Sequence, residues 1–254
     1  MYRLGLKLRL DKLLVQRGLA GSRDRAQALI LAGKVLVEEQ KVDKAGAQVA
    51  AQAAIRLLGE DLKYVSRGGL KLERALEYWH VDVTGKVCVD VGASTGGFTD
   101  CLLQHGAARV IAVDTGFGQI DFNLRQDPRV RLLEKTNARY LTRVAIGEAA
   151  DLVVIDVSFI SATIVLPAVV GAVLPDSTVD RQGRQVIVLV KPQFEVGREH
   201  VGKGGIVRDA AAQLASAEKV KRALENLGCG RTETIDSPIL GGEGNREFLL
   251  YGIF

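Results

Sequence analysis

The amino-acid sequence predicts an α/β protein, with a mostly parallel central sheet covered by helices and a smaller α+β domain ahead of it. Three observations carry the prediction. From Lys86 onward, short apolar runs alternate with segments of helical periodicity, the order that builds a parallel sheet. A glycine-rich turn follows the first of those runs, where such folds bind ligands. The charge is also divided: residues 1–74 carry 15 Lys and Arg against 8 Asp and Glu, and the rest of the chain carries 19 against 22.

In the front segment, Leu10, Leu13 and Leu14 form one apolar stripe at helical spacing, which Gly18 ends. Ser22 is placed to cap a second helix that buries Ala26, Leu29 and Ile30 and stops at Gly33. Lys34–Val37 reads as a strand, a turn near Glu39-Gln40 returns the chain, and Ile55–Leu58 closes the unit. The alanine-rich stretch 45–54 has little pattern, and Gly59–Val65 breaks the pattern as a linker would. The expected domains are 1–62 and 63–254.

In the second domain, strands are expected at Lys86–Val91, Arg109–Asp114, Val130–Glu134, Leu152–Asp156, Gln185–Lys191 and Glu247–Phe254. Helices are expected at Phe98–His105, Ser161–Leu174 and Ala210–Leu227, and the polar run Pro175–Arg184 reads as a surface loop. The composition, 47% hydrophobic and 25% charged, is that of a folded soluble protein. The longest apolar stretch, Ile164–Leu174, falls short of the roughly 20 residues a membrane span needs. The N-terminus has no continuous apolar core of the kind a secretory signal carries, so the cytoplasm is the expected location. Cys88, Cys101 and Cys229 are too scattered for a disulfide framework, and no Cys/His spacing points to a metal.

The most specific local signal is Asp90-Val91-Gly92-Ala93-Ser94-Thr95-Gly96-Gly97-Phe98, directly after an apolar strand. Small residues at a strand-to-helix turn let the backbone approach a ligand closely. The turn is neither G-x-G-x-x-G nor a Gly-Lys-Ser/Thr phosphate loop. It resembles instead the glycine loop of Rossmann-like methyltransferases, which holds the amino-acid end of S-adenosylmethionine. That resemblance makes Asp90, Gly92, Ser94, Gly96, Gly97 and Phe98 candidate cofactor residues. Asp114, at the end of the second strand, is placed to accept hydrogen bonds from ribose hydroxyls. Asn137 fits either the adenine edge or a helix cap.

The front segment, from Arg9-Leu10-Asp11-Lys12-Leu13-Leu14 to Gly33-Lys34-Val35, resembles the αL RNA-binding motif of a small-subunit ribosomal protein, pseudouridine synthases and tyrosyl-tRNA synthetases. Arg23 and Arg25 open a helix, where cations and free N–H groups can both meet phosphate, and Lys12, Arg17 and Lys34 extend the basic face. Base-stacking aromatics are absent from this segment, which favours recognition of folded RNA by shape and backbone. A solvated basic surface is the plainer alternative.

Four polar residues fall at strand ends or nearby loops: Lys71 in Ser66-Arg67-Gly68-Gly69-Leu70-Lys71, Asp156, Lys191 in Lys191-Pro192-Gln193-Phe194-Glu195, and Glu247. Their order is similar to the tetrad of heat-shock and cap-type ribose 2′-O-methyltransferases. With the αL module in front, the whole resembles the TlyA/haemolysin-A family of rRNA methyltransferases. The resemblance implies transfer of a methyl group from S-adenosylmethionine to a cytidine 2′-hydroxyl, with ribosomal RNA or ribosomal subunits as partner and no metal. Lys191 is the candidate base. A lysine can act so only as the neutral amine, which desolvation or a nearby cation favours and carboxylates oppose. Asp156 and Glu247 would orient the two amines, and Lys71 would steer the hydroxyl or a phosphate. Arg67, Lys203 and Arg208 are further candidates for RNA contact, the last two in the segment Gly202–Asp209, which resembles a family substrate loop.

Three rivals remain open to the sequence. A base-nitrogen methyltransferase would often show an Asn/Asp-Pro-Pro-Tyr-like motif after the fourth strand, where this chain has Asp156-Val157-Ser158-Phe159. A non-enzymatic ribosome-assembly factor would not need the glycine loop and tetrad together. A membrane-lytic haemolysin would need an apolar or amphipathic element that the sequence does not display.

Overall fold

The structure is a computed structural model, and it describes residues 7–20, 22–58, 63–174, 178–241 and 244–254. The chain folds as two compact units, Met1–Asp61 and Leu62–Phe254.

The first unit contains β1 (Lys7–Arg9), α1 (Leu10–Gln16), α2 (Arg23–Leu31), β2 (Val35–Val37), β3 (Gln40–Lys41), β4 (Gln48–Ala50) and β5 (Ile55–Leu57). Ser22 Oγ caps α2 by accepting from Arg25 N at 3.2 Å, satisfying one of the donors a helix start leaves free. The hairpin between β2 and β3 turns through Glu38 and Glu39, both at positive φ, because Val37 pairs with Gln40; the turn therefore lies one residue earlier than the sequence suggests. β5 pairs with β2 on the other side, and β4, from the weakly patterned alanine stretch, pairs with β1. Leu10, Leu14, Ala26, Ile30 and Val35 are wholly buried and form the core of this unit.

The second unit contains α3 (Gly68–Tyr78), β6 (Val87–Val91), α4 (Gly97–Gln104), β7 (Arg109–Val113), α5 (Phe122–Gln126), β8 (Val130–Leu133), α6 (Arg143–Ile146), β9 (Leu152–Ile155), α7 (Ala162–Val173), α8 (Thr178–Arg181), β10 (Gln185–Val190), α9 (Pro192–Glu195), α10 (Ala210–Glu225), β11 (Arg231–Asp236) and β12 (Phe248–Ile253). One seven-stranded sheet runs β8-β7-β6-β9-β10-β12-β11. Only β12 runs against its neighbours, pairing antiparallel with both β10 and β11. Because the sheet is buried on both faces, its central strands are continuous apolar runs rather than alternating ones. One face packs on α7 and α10 through Val153, Val169 and Val220, and the other on α3 and α4 through Leu72, Leu102 and Val110.

Each of the six expected strands is present, most ending a residue early. Asp114, Asp156 and Lys191 therefore stand just past the ladder at the carboxyl ends of their strands. Three differences from the sequence expectation follow from local chemistry. The edge strand β11, Arg-Thr-Glu-Thr-Ile-Asp, is missing from that expectation because it is polar and only half buried. The segment holding Lys71 is a helix, α3, started close against Tyr64 by Gly68-Gly69. The run expected as a loop before β10 includes the single turn α8, while residues 175–177 lie outside the described residues. Of the expected linker, residues 59–62 also lie outside the described residues. Tyr64 and Val65 belong to the second unit: Tyr64 is buried in its core, and Val65 N–H donates to Asp100 at 2.8 Å.

Candidate active site

The strand order reverses between β6 and β9, and two cavities open there at the carboxyl ends of the strands, as the topology requires. They share Gly92, Ser94 and Asp156. One, of about 270 Å³, reaches Arg67, Lys71, Phe98 and Gly241; the other, of about 320 Å³, reaches Asp114, Asn137, Ser158 and Phe159.

The glycine loop is shaped by close approach. Gly92 has φ +92°, and a Cβ there would lie 2.2 Å from the backbone oxygen of Asp156. At Gly97 a Cβ would lie 2.2 Å from Ser66 Oγ, so glycine lets the start of α4 meet the start of α3 and sets Lys71 beside the loop. Gly96 caps α4 in the left-handed region, and Phe98 is buried with its edge on the first cavity. Ser94, exposed at φ +49°, donates its N–H to Asp114 Oδ2 at 2.8 Å, and Gly116 N–H donates to Oδ1 at 2.6 Å. Two backbone donors thus fix the Asp114 carboxylate at the rim of the second cavity. Asn137 lines that cavity and also accepts from Arg139 N–H at 3.0 Å as a helix cap.

Among the candidate cofactor residues Gly96 lines neither cavity, and neither does Asp90. It is wholly buried, accepts from Thr99 Oγ1 at 2.7 Å, and its Oδ1 has no partner among the described residues. Burial pushes its carboxyl up to about 7 against the opposing hydrogen bond from Thr99.

The tetrad resolves into two ion pairs. Lys71, on α3, pairs with Glu247, just before β12, and both side chains are buried. Lys191, past β10, lies with Nζ 2.5 Å from Asp156 Oδ1, an ion pair without the alignment of a hydrogen bond. The aligned hydrogen bond from Lys191 goes to Ser158 Oγ at 2.8 Å. Lys71 and Asp156 both line the first cavity, which places an amine and a carboxylate from different pairs on one wall.

Several residues escape a reading of the sequence. Phe159 is 92% exposed, lines the second cavity and holds φ +64°, a conformation costly for a bulky side chain. Its ring meets Phe194 at 5.3 Å. Glu195, in the same short motif as Lys191, is buried and braces the start of α7, accepting from Ser161 Oγ at 2.5 Å and Ala162 N–H at 2.6 Å. Burial raises its carboxyl above the ordinary range. Exposure and positive φ leave no trace in sequence periodicity, whereas the Ser161 cap is legible as a helix start.

Among the candidate RNA residues, Lys12 and Arg25 stand on α1 and α2, and Lys34 precedes β2. Arg23 donates Nε to the buried Asp11 at 2.9 Å while its side chain stays half exposed. The Arg17 guanidinium donates to the carbonyls of Ala53 and Ala51 at 2.6 and 2.5 Å, stapling the turn after β4 to the end of α1. Arg67, Lys203 and Arg208 are all exposed on the second unit, and Arg67 also lines the first cavity.

Residues 64–254 match the FtsJ-like methyltransferase family, and residues 8–55 match the S4 domain. Fold and site thus define an FtsJ-like methyltransferase with an S4 domain in front. The chain is 46% identical to the 16S/23S rRNA (cytidine-2′-O)-methyltransferase TlyA of Mycobacterium tuberculosis, over 96% of this chain and 89% of that one. It is 38% identical to Hemolysin A of Brachyspira hyodysenteriae, over 97% of this chain and 100% of that one. A solved structure from Streptococcus thermophilus, titled as a candidate hemolysin, superposes with a TM-score of 0.73 at 42% identity, covering 97% of this chain and 88% of that one. The chain belongs to the TlyA/haemolysin A family of rRNA methyltransferases.

Proposed function

We propose that this protein transfers the methyl group of S-adenosylmethionine to the 2′-hydroxyl of a cytidine in ribosomal RNA, with residues 1–62 as the RNA-binding domain and 63–254 as the catalytic one. The observation that carries this is the meeting of two cavities at Gly92, Ser94 and Asp156, with one member of each lysine–carboxylate pair, Lys71 and Asp156, lining the first cavity while their partners Glu247 and Lys191 stand behind them. Two cavities with a shared wall suit two substrates whose reacting atoms must touch.

The cofactor fits the residues present. The glycine turn is bare of side chains where a Cβ would close it, and the Asp114 carboxylate, held by two N–H groups, keeps lone pairs for a ribose diol. Asn137, on the wall of the second cavity, would hold the adenine edge. When bound, S-adenosylmethionine supplies a methyl group on a cationic sulfur.

The chain's own residues handle the acceptor. A ribose hydroxyl is a weak nucleophile until its proton has somewhere to go. Lys191 is held between Asp156 and Ser158, and as the neutral amine it would receive the hydroxyl proton. Lys71, held by its ion pair with Glu247, orients the hydroxyl oxygen or its neighbouring phosphate. Phe159 offers an exposed aromatic face beside them, suited to stacking on a base. Among the described residues no helix is long and apolar enough to cross a membrane, which supports the RNA reading over the lytic one.

The test is transfer of labelled methyl to unmodified ribosomal subunits and free rRNA, followed by nucleoside analysis. Label in 2′-O-methylcytidine is expected. Label in a methylated base would overturn the ribose assignment, and no label on any rRNA substrate would favour a non-enzymatic assembly factor.

A further inference from the structure

The segment Gly202–Arg208 is held chiefly by the side chain of Asn245, which bonds it twice and which the methyl-transfer chemistry does not use. Asn245 is 2% exposed and satisfied on both ends of its amide: Nδ2 donates to the Gly205 carbonyl at 2.9 Å, and Oδ1 accepts from Val207 N–H at 3.0 Å. The loop closes on itself through Gly202 N–H to the Ile206 carbonyl, at 2.9 Å, and Val207 is buried beneath it. Gln213 adds one tether, donating to the Val207 carbonyl at 2.7 Å. Beyond these bonds the loop is open: Gly204 and Gly205 are both left-handed with free space around them, and Lys203 and Arg208 stand exposed with no ion pair among the described residues.

The other connections of Asn245 lead to the active site. Its backbone oxygen accepts from Gly241 N–H at 2.8 Å, and Gly241 lines the first cavity. A Cβ at Gly241 would lie 1.9 Å from the Glu247 carboxylate, so Gly241 packs directly on Glu247. Glu247 is two residues after Asn245, and it holds Lys71. The intervening Arg246 turns elsewhere, making a two-pronged pair with Asp236 at 2.6 and 3.0 Å.

We infer that Asn245 is a positioning residue that fixes a basic, phosphate-contacting loop, Gly202–Arg208, in register with the Lys71–Glu247 pair. A phosphate of the RNA held by Lys203 and Arg208 then sets the reacting ribose against the catalytic lysines. This rests on the RNA-methyltransferase reading for its substrate class, while the clamp itself does not. A buried amide satisfied at both ends is suited to the task, because losing it exposes two backbone groups without partners.

The experiment compares full-length wild type with Asn245→Ala, Asn245→Asp, Lys203→Ala/Arg208→Ala and the triple variant. Hydrogen exchange over residues 202–208 reports the clamp; the KM for an unmodified 23S rRNA transcript, kcat, and the Kd for S-adenosylmethionine report the coupling. Asn245→Ala is expected to speed exchange in the loop and raise the RNA KM about tenfold, leaving cofactor Kd within twofold. Asn245→Asp, which keeps the acceptor for Val207, is expected to fall between it and wild type. The surface double variant, which cannot disturb the core, is expected to raise the KM to a similar degree, and adding Asn245→Ala to it should change the KM less than twofold, because both act on one loop. Multiplicative effects in the triple variant, an unmoved KM in the double variant, or unchanged exchange in Asn245→Ala would each overturn the inference. If the wild type transfers no methyl, the functional reading fails separately, and exchange together with anisotropy binding of the same transcript still decides the clamp.

Discussion

Replacing Gly92 by alanine tests the cofactor site at its tightest point. The added Cβ would lie 2.2 Å from the Asp156 backbone oxygen, about 1 Å inside an ordinary contact, and φ is +92°. A left-handed conformation costs an alanine about 1–2 kcal/mol, which for a chain of this size lowers the melting temperature by about 2–8 °C. The larger effect is on function. To relieve the clash, the turn after β6 or the end of β9 must move by about 1 Å, and that end carries Asp156, the wall common to both cavities. Misplacement on that scale costs on the order of 100-fold in rate. Circular dichroism should show a folded protein with a modestly lower Tm. Equilibrium dialysis should show weakened S-adenosylmethionine binding, and labelled-methyl transfer should fall about 100-fold. A folded Gly92→Ala protein with methyl transfer within threefold of wild type would refute the claim that the close approach at Gly92 positions Asp156.

Other outcomes follow from the same geometry. Lys191→Ala should abolish methyl transfer while cofactor affinity stays near wild type; full activity in the folded variant would remove Lys191 as the base. Glu247→Ala leaves Lys71 buried without its partner and should cost about 3–5 kcal/mol by chemical denaturation, and a loss below 1 kcal/mol would mean the pair is already solvated. Phe159→Gly should relieve the strain at φ +64° and raise Tm while weakening RNA turnover; a simultaneous rise in both would argue against a stacking role. Asp90 binds its proton more tightly folded than unfolded, so ionising it costs stability as pH rises from the ordinary carboxylate range to about 7 and little more above that. Asp90→Asn should accordingly raise Tm more at pH 8 than at pH 5, and an equal change at both would contradict the burial argument.

How much of this is legible in sequence depends on whether burial is continuous. The central strands β6, β9 and β10 are almost wholly apolar, and each is visible as a run with a polar residue at or near its end. β11 escapes because an edge strand half in solvent can carry Thr and Glu. α3 escapes although Leu72, Ala75 and Leu76 bury one face of it, because Gly68-Gly69 looks like a break; those glycines are the room in which the helix meets Tyr64 and Ser66. The four tetrad positions can be picked out, but not their pairing. Lys71 with Glu247 and Lys191 with Asp156 is a fact of strand order in space, which no local pattern encodes. Arg17 and Asp90 carry tasks that a motif does not announce: the one holds backbone carbonyls and the other a core hydroxyl.

The pairing of Lys71 with Glu247 joins positions 176 residues apart in the chain, one before the first strand of the catalytic sheet and the other at the start of its last. β12, which follows Glu247 directly, must slot between β10 and β11, with a ladder to fill on each side. During synthesis, every other element of the catalytic unit can therefore exist before the active site does. A nascent chain lacking this closing strand would hold Lys71 without its counter-charge, beside a sheet with a gap one strand wide. The ability to modify RNA thus begins only when the enzyme's own translation has reached that strand.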